Sequence, residues 1–344
     1  MLLAQDRGAR PMPGQPAALS RSNQQATSPG ATTAGSGVLA TQASAIPVVA
    51  RLSRCPLSPE RRKSIADAIS RREYRNAEVD LVNAINENPS SPDLLAAAAG
   101  VFFLDREFLN AAIALKKADH IQPLQKEDRL TLCLAYIALQ RGEWARPELE
   151  KLVRDNPDNS AFPYWLARID YDERRYADAI SRFKESVKLD PKFMKGYDNL
   201  GLSLEANGNL QEAMAAYSKA TELNRQSSSP SPWPAVNLGA LLLRVGREKE
   251  AEGPLLEALK YDPNNVQGHY RLGLTYDKAG RAEQAITELR KASELDPAFA
   301  DPFYALGRIY HRLGDEPRAE QAFGSFRAVK NAQREQLTSS PAAR

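Results

Sequence analysis

Histidine and cysteine are scarce in this chain of 344 residues, which holds three of the first and two of the second. His120, His269 and His311 are scattered, and none has a cysteine or a second histidine at ligand spacing, which argues against a zinc centre. Two cysteines cannot staple a small disulfide scaffold; Cys133, on the apolar helical face of LTLCLAYIAL, reads as core. Long apolar runs are missing too. The longest, residues 94–104, has 11 residues, whereas a membrane-spanning helix needs about 20. Neither sign of charge dominates. The net charge is +3, with +4 carried by residues 1–57 and −1 by the remainder. A near-neutral body argues against nucleic acid as the main partner, because that binding rests on neutralising phosphates. There is no Gly-x4-Gly-Lys-Ser/Thr loop, no Gly-x-Ser-x-Gly elbow and no His-Glu-x-x-His helix. The acid pair Asp170 and Asp172 reads as a solvated face. Neither catalysis nor a cofactor is expected.

What the chain does have is a beat. Pro89, Pro123, Pro157 and Pro191 stand 34 residues apart, and Pro263 and Pro297 resume the step. Ala77, Ala111, Ala145, Ala179, Ala213, Ala251, Ala285 and Ala319 keep the same interval, apart from one step of 38 between Ala213 and Ala251. A fixed period of this size means a stack of copies of one supersecondary unit. Each copy shows a helical apolar stripe, a turn and a second stripe. Gly208, Gly246, Gly280 and Gly314 fall at one position, where a tight turn needs positive φ. Leu-Asp-Pro at 189–191 and 295–297 closes second helices, since proline cannot continue them.

The cleanest copies carry Leu272-Gly273-x2-Tyr276 with Ala285-x3-Leu289 and Pro297, Leu306-Gly307-x2-Tyr310 with Ala319-x3-Phe323, and Tyr197 with Leu200-Gly201 and Ala213-x3-Tyr217. This resembles the tetratricopeptide repeat, whose pattern is Trp-x2-Leu-Gly-x2-Tyr, Ala-x3-Phe, Pro. The resemblance covers eight copies: 58–91, 92–125, 126–159, 160–193, 194–227, 232–265, 266–299 and 300–333. It implies an all-α right-handed solenoid of about eight helix pairs that binds another protein or peptide. Self-association, as in an assembly component of secretion, pilus or envelope machinery, is the alternative; an accessory module of an enzyme complex is the third. In the third copy the turn glycine, Gly142, comes two residues late, so its first helix is expected to slip and start near Asp128. Pro147 and Pro254, inside second helices, are expected to kink them or delay their start.

The resemblance also implies a concave groove lined by the first helix of each copy. Its groove positions fall on Tyr164, Trp165, Arg168, Lys195, Asn199, Trp233, Asn237, Tyr270, Arg271, Tyr304 and Arg308. Asn199, Asn237 and Arg271 share one position in successive copies, and an asparagine amide can hold an extended peptide backbone. The aromatic and arginine residues are of the types that dominate binding hot spots, although some aromatics of these repeats only plug seams between helices. Where the related chaperone-tail clamp needs lysines and asparagines, Asp198, Leu202 and Gln267 stand here, so a chaperone tail is disfavoured. In the first half, Ala96, Ala97, Gly100, Phe103 and Leu104 make the groove small and apolar. That suits an amphipathic helix of a partner, or residues 38–50 of this chain folding back in cis.

Residues 1–57 are low in apolar periodicity and read as a disordered leader. The opening MLLAQ reads as the tail of a signal peptide begun upstream, which makes a secreted or periplasmic site the alternative to a cytoplasmic one. The segment 226–232, QSSSPSP, reads as a solvated loop or as a hinge between two subarrays, and residues 334–344 as a tail.

Overall fold

The computed structural model describes residues 45–339. Among them are seventeen α-helices and no strand. A short helix α1 (Ala45–Arg51) runs into a single 3-10 turn, Leu52–Arg54. Sixteen helices follow as eight antiparallel pairs: α2 (Pro59–Ser70) with α3 (Tyr74–Glu87), α4 (Pro92–Leu104) with α5 (Phe108–Ile121), α6 (Lys126–Ala138) with α7 (Gly142–Asp155), α8 (Ala161–Asp172) with α9 (Tyr176–Leu189), α10 (Met194–Ala206) with α11 (Leu210–Asn224), α12 (Trp233–Arg244) with α13 (Glu248–Tyr261), α14 (Val266–Lys278) with α15 (Ala282–Leu295), and α16 (Ala300–Arg312) with α17 (Glu316–Ser339). Each helix touches mainly its sequence neighbours, the arrangement of an α-solenoid.

Local signals start the helices. Ser58 and Ser91 cap α2 and α4, accepting from the Arg61 and Leu94 amides at 3.2 and 3.3 Å, and proline opens both helices, where its missing N–H is not needed. Asn265 caps α14 through the Gly268 amide at 2.8 Å. Packing does the rest. In the first four copies the eighth residue and the twenty-fourth are buried in a common core: Ile65 with Leu81, Ala99 with Leu115, Cys133 with Leu149, Ala167 with Phe183. In the second half the eighth residue is glycine. A Cβ at Gly201 would lie 2.5 Å from the Tyr217 ring, one at Gly239 2.5 Å from Leu255 and one at Gly307 2.6 Å from Phe323. The helices have closed to the distance that only glycine allows.

The turn between paired helices repeats as exactly as the contact. The fifteenth residue of each copy has positive φ: Arg72, Arg106, Gln140 and Arg174 at 58–65°, then Gly208, Gly246, Gly280 and Gly314 at 75–85°. This corrects the expected slip in the third copy. Its turn residue is Gln140, at φ 58°; Gly142 is the first residue of α7, and α6 begins at Lys126. Nor do the internal prolines delay their helices: α7 starts at Gly142 ahead of Pro147, and α13 at Glu248 ahead of Pro254.

Two boundaries differ from expectation, and the insertion takes the form of the solvated loop rather than the hinge. The part of the leader expected to be disordered that falls on residues 1–44 lies outside the described residues, but 45–57 are folded: Val48, Leu52, Cys55 and Leu57 are buried in one cluster with Ile65, Leu94 and Ala97. The C-terminal helix α17 runs to Ser339, taking up residues assigned to a tail. The inserted segment does not divide the array. Buried Asn224 holds it as a closed loop, donating to the Ser231 carbonyl at 2.7 Å and accepting from the Ser231 amide at 2.8 Å. A single apolar core then continues from Ala96 to Ala322.

Two glycine exchanges separate these forces. Gln140→Gly removes the strain of a side chain at positive φ and is expected to stabilise by up to about 1 kcal/mol. Gly201→Val forces a branched side chain into the Tyr217 ring and is expected to cost about 2–3 kcal/mol. Urea unfolding of both variants measures the two signs.

Candidate binding groove

The first half of the groove is occupied. Helix α1 lies against α4 and α2, and Val48 sits directly over Gly100, where a Cβ would come within 2.5 Å of its Cγ2. Leu52 is 1 % exposed and Cys55 3 %. Burial in this apolar cluster pushes the Cys55 thiol up to about 11, so it stays neutral; neither Cys55 nor Cys133 is in a disulfide. Charge fixes the register. Arg51 reaches Asp128 of α6 at 2.5 Å and Asp93 of α4 at 3.7 Å, while Arg54 approaches Asp93 at 3.4 Å. The small residues Ala97 and Gly100 thus receive an amphipathic helix of this same chain, the cis reading of the sequence.

The centre of the array is filled by its own side chains. Tyr164 and Trp165 are the bulkiest wholly buried residues. The Tyr164 ring meets Trp165, Phe183 and Phe193 at centroid distances of 5.2, 5.6 and 4.9 Å. These two groove candidates are therefore seam plugs, as aromatics of such repeats can be. Arg168 and Asn199 are buried as well, and Arg168 donates to Asn199 Oδ1 at 2.9 Å. Asn199 Nδ2 in turn donates to the Lys195 carbonyl at 2.9 Å and the Tyr164 hydroxyl at 3.4 Å. The amide expected to hold a peptide is spent on its neighbours. Asn237 likewise donates to Asp198 at 2.9 Å. Burial pushes Asp198 up to about 6, against the Asn237 hydrogen bond and the Arg168 charge, which pull it down. Burial also lowers Lys195.

Asp170 corrects another expectation. It is fully buried rather than solvated, and three guanidiniums converge on it: Arg146 at 3.0 Å, Arg175 at 2.7 Å and Arg182. They come from α7, the α8–α9 turn and α9, so the carboxylate ties the third copy to the fourth. His269, at a packing position, is likewise a tie. Its Nδ1 lies 2.6 Å from Glu288 and its Nε2 2.9 Å from the Pro263 carbonyl.

The last three copies present an open surface. Trp233, Asn237, Tyr270 and Arg271 are half-buried, Arg308 is exposed and Tyr304 is 46 % exposed. Arg271 stacks over the Tyr270 ring at 5.2 Å. Tyr270 packs edge-on against Phe299 at 4.9 Å, and Tyr304 rests on Phe326 at 5.3 Å. Neither Arg271 nor Arg308 has a carboxylate within ion-pair distance among the described residues, although both act on the Tyr270 hydroxyl, as does Asp301. Their neighbours Arg244 and Arg312 are paired, with Glu205 and Asp277.

Two substitutions test this electrostatics. Arg51→Ala leaves the buried Asp128 without its closest cation, at an expected cost of about 2–3 kcal/mol in leader docking, read as faster tryptic cleavage after Arg54. Asp198 has a raised folded pKa, so the folded state holds its proton more tightly than the unfolded chain, and its contribution to stability falls as pH rises from the ordinary aspartate range through about 6. Asp198→Asn is expected to match the wild type near pH 4 and to become the more stable of the two above pH 6; parallel urea curves across that range check the sign.

Comparison with known proteins agrees with this architecture. Models described as tetratricopeptide repeat match residues 130–192, 166–228 and 255–287, and one described as TPR repeat matches 278–314. The chain is 30 % identical over 103 residues to the probable UDP-N-acetylglucosamine--peptide N-acetylglucosaminyltransferase SPINDLY of Hordeum vulgare, covering 29 % of this chain and 11 % of that protein. It is 28 % identical over 137 residues to the TPR repeat-containing protein YpiA of Bacillus subtilis (strain 168), covering 40 % and 31 %. The chain thus spans between about a tenth and a third of these curated relatives. Among solved structures, the C-terminal part of a TPR repeat-containing protein from Cytophaga hutchinsonii superposes with a TM-score of 0.55 at 16 % identity, over 68 % of this chain and 95 % of that one. The period, the eight helix pairs and these matches agree: the chain belongs to the tetratricopeptide repeat family.

Proposed function

We propose that this protein is a non-catalytic binding scaffold, and that its partner segment docks in the concave groove of the last three copies. Tetratricopeptide repeat arrays mediate contacts between proteins. Here the first half of the groove is closed by α1 and the centre by Tyr164, Trp165, Arg168 and Asn199, so the open stretch lies at the C-terminal end. The observation that carries the reading is the pair Arg271 and Arg308, without carboxylate partners among the described residues, beside the half-open Tyr270 and the exposed Tyr304. An arginine kept next to an aromatic face and free of an internal acid is suited to a carboxylate brought by a partner. The class of ligand is a segment with acidic side chains between apolar ones, since Tyr270 and Tyr304 supply the apolar contact.

The test is capture from lysate of the source organism with the wild-type chain and with the Arg271→Ala/Arg308→Ala variant, followed by calorimetry with the protein retained. A hot-spot arginine is worth more than about 1.4 kcal/mol, or tenfold in Kd. The double variant is therefore expected to bind at least tenfold more weakly while unfolding at the wild-type urea concentration. Equal affinity would remove the site from this groove.

A further inference from the structure

Away from the groove, where the first copy meets the second, Glu78 of α3 is 5 % exposed. Its Oε1 is buried and has no hydrogen-bond partner. Facing it are Asp105 and Glu107, which flank Arg106 in the turn between α4 and α5, and the three carboxylates bring their oxygens within 4.8 Å of one another. The turn sets this up: Arg106 has φ 65°, and the reversal there places the acids on either side of it beside the preceding copy. One cation faces the cluster. Arg75 lies 3.0 Å from Glu107 Oε1 and 3.5 Å from Glu78 Oε2, but its side chain is 77 % exposed, so it leaves Glu78 Oε1 untouched. Asn110 holds the other Glu107 oxygen at 2.5 Å.

We propose that Glu78, Asp105 and Glu107 form a binding site for a hard divalent cation, with Ca²⁺ the best fit. Three carboxylates against one exposed arginine leave negative charge uncompensated, and a buried carboxylate oxygen without a partner is costly unless a cation or a proton meets it. All-oxygen donors select Ca²⁺, Mg²⁺ or Mn²⁺ over zinc. Ca²⁺ binds oxygens at about 2.3–2.6 Å in flexible geometry, so it can bridge oxygens nearly 5 Å apart, whereas Mg²⁺ at about 2.0–2.1 Å demands a tighter octahedron. Solvent would fill the remaining positions. Such a cation would clamp the first copy to the second, on the element pair that also carries the leader.

The rival occupant is a shared proton. Burial, and the Glu107 and Asp105 charges after it, push Glu78 up to about 7. The experiment is therefore run on the full chain at pH 8, above that value, where the carboxylate form prevails. CaCl₂, MgCl₂ and MnCl₂ are titrated separately by calorimetry, and Tm is followed with and without each salt. Expected is a saturable heat of one site for Ca²⁺ and a rise in Tm, both absent in Glu78→Gln, which keeps the shape of the side chain. Arg75→Ala, which removes the competing cation from an exposed position, is expected to tighten Ca²⁺ binding. No saturable heat for any of the three salts would overturn the proposal, as would Glu78→Gln binding Ca²⁺ as the wild type does.

Discussion

The fold depends on one repeated contact, the eighth residue of each copy against the twenty-fourth. Where the eighth residue is small, the paired helices approach until an aromatic or leucine side chain fills the gap. Gly201 against Tyr217 and Gly307 against Phe323 show how little room remains. This contact sets the angle within each pair, and the alanine at the twentieth position, buried in every copy, sets it again. Because copies touch mainly their neighbours, stability is a sum of local terms, and one poor pair weakens the stack locally rather than everywhere.

That periodic skeleton was fully legible in sequence, because glycine, alanine and proline report backbone constraints directly. The turns were legible only in the second half. There the residue at positive φ is glycine; in the first half Arg72, Arg106, Gln140 and Arg174 adopt the same backbone against their own preference. The register of the stack forces them, and composition alone does not show it. Hence Gly142 misled and Gln140 was the turn. The leader was misread for a related reason. Its short apolar set, Val48, Leu52, Cys55 and Leu57, lacks the length of a periodic stripe, and its burial depends on a surface some fifty residues away in sequence.

The groove was half legible. Position in the repeat told which side chains share the concave side, but not which are already used. Asn199 illustrates the gap: its place in the ladder is as expected, yet Arg168, Tyr164 and the Lys195 carbonyl consume its hydrogen bonds. Each partner lies on a helix turn or a copy away, so the competition is a property of packing. The same packing explains the division of labour. Small residues in the first half leave room for α1, bulky aromatics close the centre, and Arg271 and Arg308, without an acidic partner among the described residues, stand at the far end.

The central claim is that the two ends of the groove are in different states, closed by the leader at one and open at the other. Hydrogen–deuterium exchange on the full chain tests it most directly. A leader docked as described keeps the amides of residues 48–54 protected, and Arg51→Ala speeds their exchange while the α4 core stays slow. Exchange of residues 48–54 at the rate of an unstructured chain, with α4 still protected, would contradict it.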